Sequence, residues 1–143
     1  MKRHHLLLLL ICMCLPMKAQ KKTSEAEFRA KKEAYMTEQA TLTKEEAAKF
    51  FPLYFELQER KKQINNAAWI NAKKDQNPRT AEKEYEDIID GFMKAQLEST
   101  DLDKEYLKKY KAILSSRKIF LLYKAEINFH RNMIKIMQKS EKK

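Results

Sequence analysis

The chain has few of the residues that interrupt a helix. Its 143 residues include one glycine and three prolines, too few to mark the turns of a β-sheet. Apolar residues recur instead at steps of three and four, which is the spacing of one face of an α-helix. These features predict an all-α fold of about four helices.

The first twenty residues have the three zones of a secretory signal peptide. Basic residues precede a short apolar run, residues 6–15, and Ala19 is a small residue before the expected cut. The run is too short to span a bilayer. We expect residues 1–19 to be removed on export and residues 20–143 to form a single domain. A retained anchor helix and lipid attachment at a leader cysteine are the alternatives.

Export would change the chemistry of the mature chain. Both cysteines, Cys12 and Cys14, lie in the leader, so no disulfide or thiol chemistry is expected afterwards. The mature chain keeps 27 basic and 20 acidic side chains, a net charge near +7. Interleaved acidic residues and export argue against nucleic-acid binding. They favour a solvated helical surface, or a mild attraction to acidic polypeptides or to an anionic envelope surface.

The first two helical stretches differ in polarity. Residues 24–39 are polar, and such a helix must dock on the main body or on a second copy. The second stretch starts after Thr43, an N-cap with Glu46 three positions on, and ends near the turn signal at Asn77-Pro78. Pro52 lies well inside it and predicts a kink.

The third and fourth stretches are amphipathic segments. The third starts at Thr80 and contains Gly91, which indicates a bend or a close helix contact. The fourth starts at Ser115 and carries two adjoining apolar rows over residues 119–137. This face is wider than a two-helix seam needs, so we expect it to meet several helices or a second subunit.

A short pattern occurs twice, each time before an aromatic amphipathic helix. A leucine precedes a hydroxyl N-cap, and in the first copy a glutamate that can complete a capping box follows three positions later. In the second copy that residue is a lysine, whose ammonium has no acceptor for the N-cap N–H, so this helix start should be weaker. The two copies consist of Leu42, Thr43 and Glu46, and of Leu114, Ser115 and Lys118.

These copies resemble the paired Leu-Thr-x-x-Gln motifs of the Spy/CpxP family of bacterial periplasmic proteins. The leucines match in both copies and Thr43 matches in the first, whereas glutamate, serine and lysine replace the expected residues at the other positions. The resemblance covers roughly residues 25–138. The Ala-Gln sequence at the expected cut and the lysine-rich composition also resemble Bacteroidetes versions of the family. It implies a periplasmic protein of long, kinked antiparallel hairpins that forms an antiparallel homodimer.

The resemblance also implies a function. It suggests an ATP-independent, chaperone-like protein that binds unfolded or misfolded envelope proteins on an apolar and basic surface. The alternatives are a regulatory adaptor that binds a membrane sensor kinase or an anti-sigma factor, and a structural homodimer without a client. The candidate client-binding surface, left available by the Pro52 kink, consists of Leu53, Phe55, Arg60, Lys61 and Lys62.

Enzyme chemistry finds little support. The chain has no glycine-rich phosphate loop, and His130 is the one histidine outside the leader. Glu126 and His130 lie four apart on one helix, where a core or interface role is more common than metal ligation. With Met133 or Met137 they supply too few ligands for a metal sensor. We therefore expect no catalytic residue, cofactor or metal, and no nucleic-acid partner.

Overall fold

The structure is a computed structural model that describes residues 17–74 and 81–140, with side-chain surroundings left out for residues 17–24, 74, 137 and 140. It confirms the all-α prediction within these ranges. The expected leader core, the Asn77-Pro78 turn and the Thr80 helix start lie outside the described residues. Four helices follow in order, namely α1 (Met17–Ala40), α2 (Lys44–Lys74), α3 (Glu82–Lys111) and α4 (Ser116–Ser140).

The helices pair in two antiparallel sets. In the α2–α3 pair, Lys61 bonds to Asp103 and the centre of the Trp69 ring lies 4.9 Å from that of Phe92. Residues later in α2 therefore contact residues earlier in α3. The α1–α4 pair runs the same way, from the Phe28–Phe129 ring contact to the Lys32–Glu126 ion pair. Short turns at residues 41–43 and 112–115 join the two sets.

The core lies where these two turns bring four helix ends together. Aromatic rings fill it, with Phe50 and Tyr110 only 4.9 Å apart between centroids, and Tyr106 has no exposed surface. Burial of this many large apolar side chains is the main stabilising contribution to the fold. We call this core the hub, and it consists of Met36, Ala40, Phe50, Phe51, Tyr54, Leu57, Leu102, Tyr106, Tyr110, Leu114, Ile119, Leu122 and Ala125.

The turn from α1 to α2 is built around a left-handed residue. Thr41 has a φ of 51°, and the N–H of Leu42 bonds to the Thr37 carbonyl at 3.0 Å. The N–H of Thr41 bonds to the Glu38 carbonyl at 3.2 Å, which completes a Schellman motif. Glycine is the usual residue at this position, because a β-branched side chain disfavours positive φ.

Gly91 is neither at a turn nor at a close contact. It lies in the middle of α3, and a methyl group added there would meet no atom within 4 Å. The prediction of a close helix contact at this residue is therefore wrong. Small residues face one another here, and α2 and α3 leave a cleft of about 640 Å³ between them. The segment 98–103 is helical throughout.

Two further helix bounds differ from the sequence-based ones. Helix α1 spans Met17–Ala40 in the described residues, so it includes residues ahead of the expected start at residue 24 and the expected cut after Ala19. Helix α3 begins with Ala81 at the N-cap, and the Glu84 carboxylate accepts the Ala81 N–H at 3.2 Å. None of the helices in the described ranges combines the length and apolarity that a bilayer crossing requires.

Candidate functional site

The first copy of the repeated pattern forms a complete capping box at the start of α2. Thr43 Oγ1 accepts the Glu46 N–H at 3.2 Å, and the Glu46 carboxylate accepts the Thr43 N–H at 2.8 Å. Two N–H groups that the helix itself cannot satisfy are thereby paired. Leu42, just before the box, is half-buried against the hub.

The second copy forms half of a box. Ser115 Oγ accepts the Lys118 N–H at 3.3 Å, and Leu114 is buried in the hub. The Lys118 ammonium turns away from its own N-cap and donates to the Glu46 carboxylate. This bond, and then the Thr43 N–H, hold the pKa of the Glu46 carboxyl below its ordinary value. The two copies are therefore joined by Glu46 and Lys118, the residues that replace the glutamine of the Leu-Thr-x-x-Gln motif.

The candidate client-binding residues lie along α2, and most of them have partners. Leu53 and Phe55 are half-buried against the hub, while Pro52 itself is exposed. Arg60 donates to the Tyr106 hydroxyl at 3.3 Å, and Lys61 bonds both oxygens of the Asp103 carboxylate. The remaining member, Lys62, is exposed, and its Nζ lies 3.9 Å from a carboxylate oxygen of Glu59.

An open cleft between α1 and α2 brings two of these residues together with α1. Phe28, which is 38% exposed, lies with Phe55 in this cleft of about 170 Å³. The Arg29 guanidinium lies 5.3 Å from the centre of the Phe55 ring, and Lys62 lines the opposite wall. We call this feature the α1–α2 cleft. Its walls combine aromatic carbon with three cations and with the carboxylates of Glu25 and Glu59, so a small excess of positive charge lies beside the rings.

A polar cluster that sequence reasoning missed joins α1 to α4. The Lys32 ammonium, with its side chain 7% exposed, donates to Glu126 at 3.0 Å and contacts His130 Nε2 at 3.2 Å. The Tyr54 hydroxyl also donates to Glu126, and burial, followed by this bond, raises the pKa of Tyr54.

His130 does not lie in the core. Its side chain is 54% exposed, and it contacts Lys32 of α1. Within residues 17–74 and 81–140, no group of three or more histidine, cysteine, aspartate or glutamate side chains is arranged to hold a metal ion.

Two rows of large apolar side chains remain exposed outside the hub. On α4, the inner of the two rows packs on α1, while the outer row faces away, with Phe120 65% and Ile127 58% exposed. On α3, a row at intervals of four residues ends at Leu97, which is 67% exposed. The α4 row consists of Phe120, Tyr123, Ile127 and Ile134, and the α3 row of Tyr85, Ile89, Met93 and Leu97.

Comparison of the chain with known protein families, with curated proteins and with solved structures gives no significant match.

Proposed function

We propose that this protein is an exported, ATP-independent, chaperone-like protein that holds unfolded envelope polypeptides. Its binding surface is the α1–α2 cleft, and its working form is an antiparallel homodimer of hairpins bent at Pro52. The proposal rests on the secretory character of residues 1–19, the resemblance of the two capped helix starts to the Spy/CpxP motifs, and the exposed apolar and cationic surface.

The observation that carries the proposal is the composition of the α1–α2 cleft. Phe28 and Phe55 present aromatic surface beside Arg29 and Lys62. The ion pairs of the two cations, with Glu25 at 3.5 Å and Glu59 at 3.9 Å, are solvent-exposed and therefore weak. Both cations can exchange these partners for carboxylates of a client at little cost. Such a surface binds many sequences weakly and loses affinity as salt rises.

A binding titration tests this assignment of the surface. A fluorescently labelled, permanently unfolded polypeptide is titrated with the wild-type protein and with the double variant Phe28→Ala/Lys62→Gln, and anisotropy is recorded. We expect the affinity to fall by about tenfold, which corresponds to about 1.4 kcal/mol and is the scale of one exposed aromatic contact and one screened charge.

The matched control is Ile136→Ala/Lys139→Gln, which removes an exposed apolar group and a lysine from the end of α4. This variant should bind as the wild type does. Equal affinity of all three proteins would show that the α1–α2 cleft is not the binding surface. If the labelled polypeptide does not bind at all, the regulatory adaptor becomes the better hypothesis. Its partner would then appear as one protein from an envelope extract that binds specifically and saturably.

A further inference from the structure

The α4 row is bordered by a line of basic residues. Arg117, Lys124 and Arg131 recur every seven positions, so they lie in one line beside the row, and all three are exposed. None of them forms an ion pair with another described residue. Apolar residues at steps of three and four with charges at steps of seven are the pattern of a helix that packs against a second helix and selects it by charge.

The α3 row has the opposite charge beside it. Glu82, Glu86 and Asp90 recur at the same four-residue interval as the row and are exposed. Segment 82–98 contains six acidic and two basic residues, a formal charge of −4. Segment 116–135, which carries the α4 row, contains five basic residues and one acidic residue, a formal charge of +4.

Charge decides which of the possible row-to-row contacts can form. Two α4 rows facing each other would bring arginine and lysine lines together, and two α3 rows would bring carboxylates together. Like charges that meet across an interface disfavour the contact. The contact of an α3 row with an α4 row is the one that joins opposite charges. Both rows are exposed in the single chain, so they do not cover each other within it.

We propose that a second copy of this chain covers the α4 row with its α3 row, while its own α4 row receives the α3 row of the first copy. The resulting interface is isologous, with the same α3–α4 contact made twice about a two-fold axis. The rows match in length, since residues 85–97 and 120–134 extend about 18 Å and about 21 Å along their helices. This inference rests on the homodimer of the proposed function and specifies its interface.

Charge reversal on either row tests the interface by sedimentation equilibrium of the full mature chain at micromolar concentrations. We expect Lys124→Glu/Arg131→Glu to be monomeric, because two of the three positions in the basic line would then present carboxylates to the line of Glu82, Glu86 and Asp90. Glu86→Lys/Asp90→Lys should be monomeric for the opposite reason. When the two variants are mixed, each α3–α4 contact again joins opposite charges, so an equimolar mixture should form a heterodimer.

The control variant Lys49→Glu/Lys108→Glu changes the net charge as much as the α4 variant does, at exposed sites outside both rows, and it should remain dimeric. Circular dichroism checks that every variant is folded. A monomeric wild type, dimeric reversal variants or a mixture that stays monomeric would each overturn the inference. Loss of dimerisation with unfolded-polypeptide binding retained would support this interface, whereas a dimer that binds no unfolded polypeptide would contradict the proposed function alone.

Discussion

At the scale of single residues, this chain places its one glycine where the backbone does not need it. Thr41 takes the left-handed conformation at the end of α1, with a φ of 51°, while Gly91 lies in a regular helix with open space around it. Each residue adds conformational cost at its position. The capping residues next to Thr41 act in the opposite direction, because Thr43 and Glu46 satisfy N–H groups at the start of α2.

We predict that Thr41→Gly stabilises the protein by about 1 kcal/mol, because glycine adopts positive φ without the steric cost that a β-branched residue has. Chemical denaturation measures the change. Thr41→Ala serves as the control, since alanine keeps a Cβ and should not be stabilising. If Thr41→Gly lowers the midpoint, the strain inferred at this turn is absent.

Thr43→Ala is expected to lower the free energy of unfolding by about 1 kcal/mol, because the Glu46 N–H loses the side-chain oxygen that accepts it. The denaturation midpoint should fall while the slope stays the same. An unchanged midpoint would mean that the capping box does not contribute to stability.

At the scale of helices, the sequence predicted their number and caps better than their lateral contacts. Periodicity and the Thr43–Glu46 signal depend on near neighbours in the chain and are visible in one dimension. The Lys32–Glu126 pair joins residues 94 positions apart, and nothing in either segment marks it. For the same reason the sequence could not show that Lys118 would bond to Glu46, or that Gly91 would face an open cleft.

The buried Lys32–Glu126 ion pair joins α1 to α4. We predict that Lys32→Met destabilises the protein by about 3 kcal/mol, because it leaves the Glu126 carboxylate without its cation. This is the low end of the cost of breaking a buried ion pair, since Glu126 retains the hydrogen bond from the Tyr54 hydroxyl and is partly exposed to solvent. Lys32→Met/Glu126→Gln should recover much of this loss, since no unpaired charge remains. Thermal unfolding of both variants measures the difference, and equal losses would rule out the charge as the cause.

Helix α3 should become more stable when its glycine is replaced. Gly91→Ala is expected to add about 1 kcal/mol, because alanine has the higher helix propensity and its methyl group enters open space. The unfolding midpoint should rise in denaturant. A fall would indicate that another group, such as a second copy, approaches the backbone at this residue.

At the scale of the whole molecule, burial is concentrated in the hub and apolar surface is left on the helices around it. The hub holds the four helix ends, whereas the α3 row, the α4 row and Phe28 remain exposed in a chain with 35% charged residues. Exposed apolar area next to charged residues marks interaction surfaces in soluble proteins. The proposed dimer covers both rows and leaves the α1–α2 cleft open, which is the surface we propose for unfolded clients.

The central claim is tested most directly by the aggregation of a chemically unfolded, unrelated substrate, followed by light scattering. The substrate is diluted with and without an equimolar amount of the mature protein, at low and at high salt. The account predicts that the protein suppresses aggregation and that suppression weakens as salt screens the cationic cleft. Aggregation that proceeds unchanged at a several-fold excess of the protein would contradict a holding function.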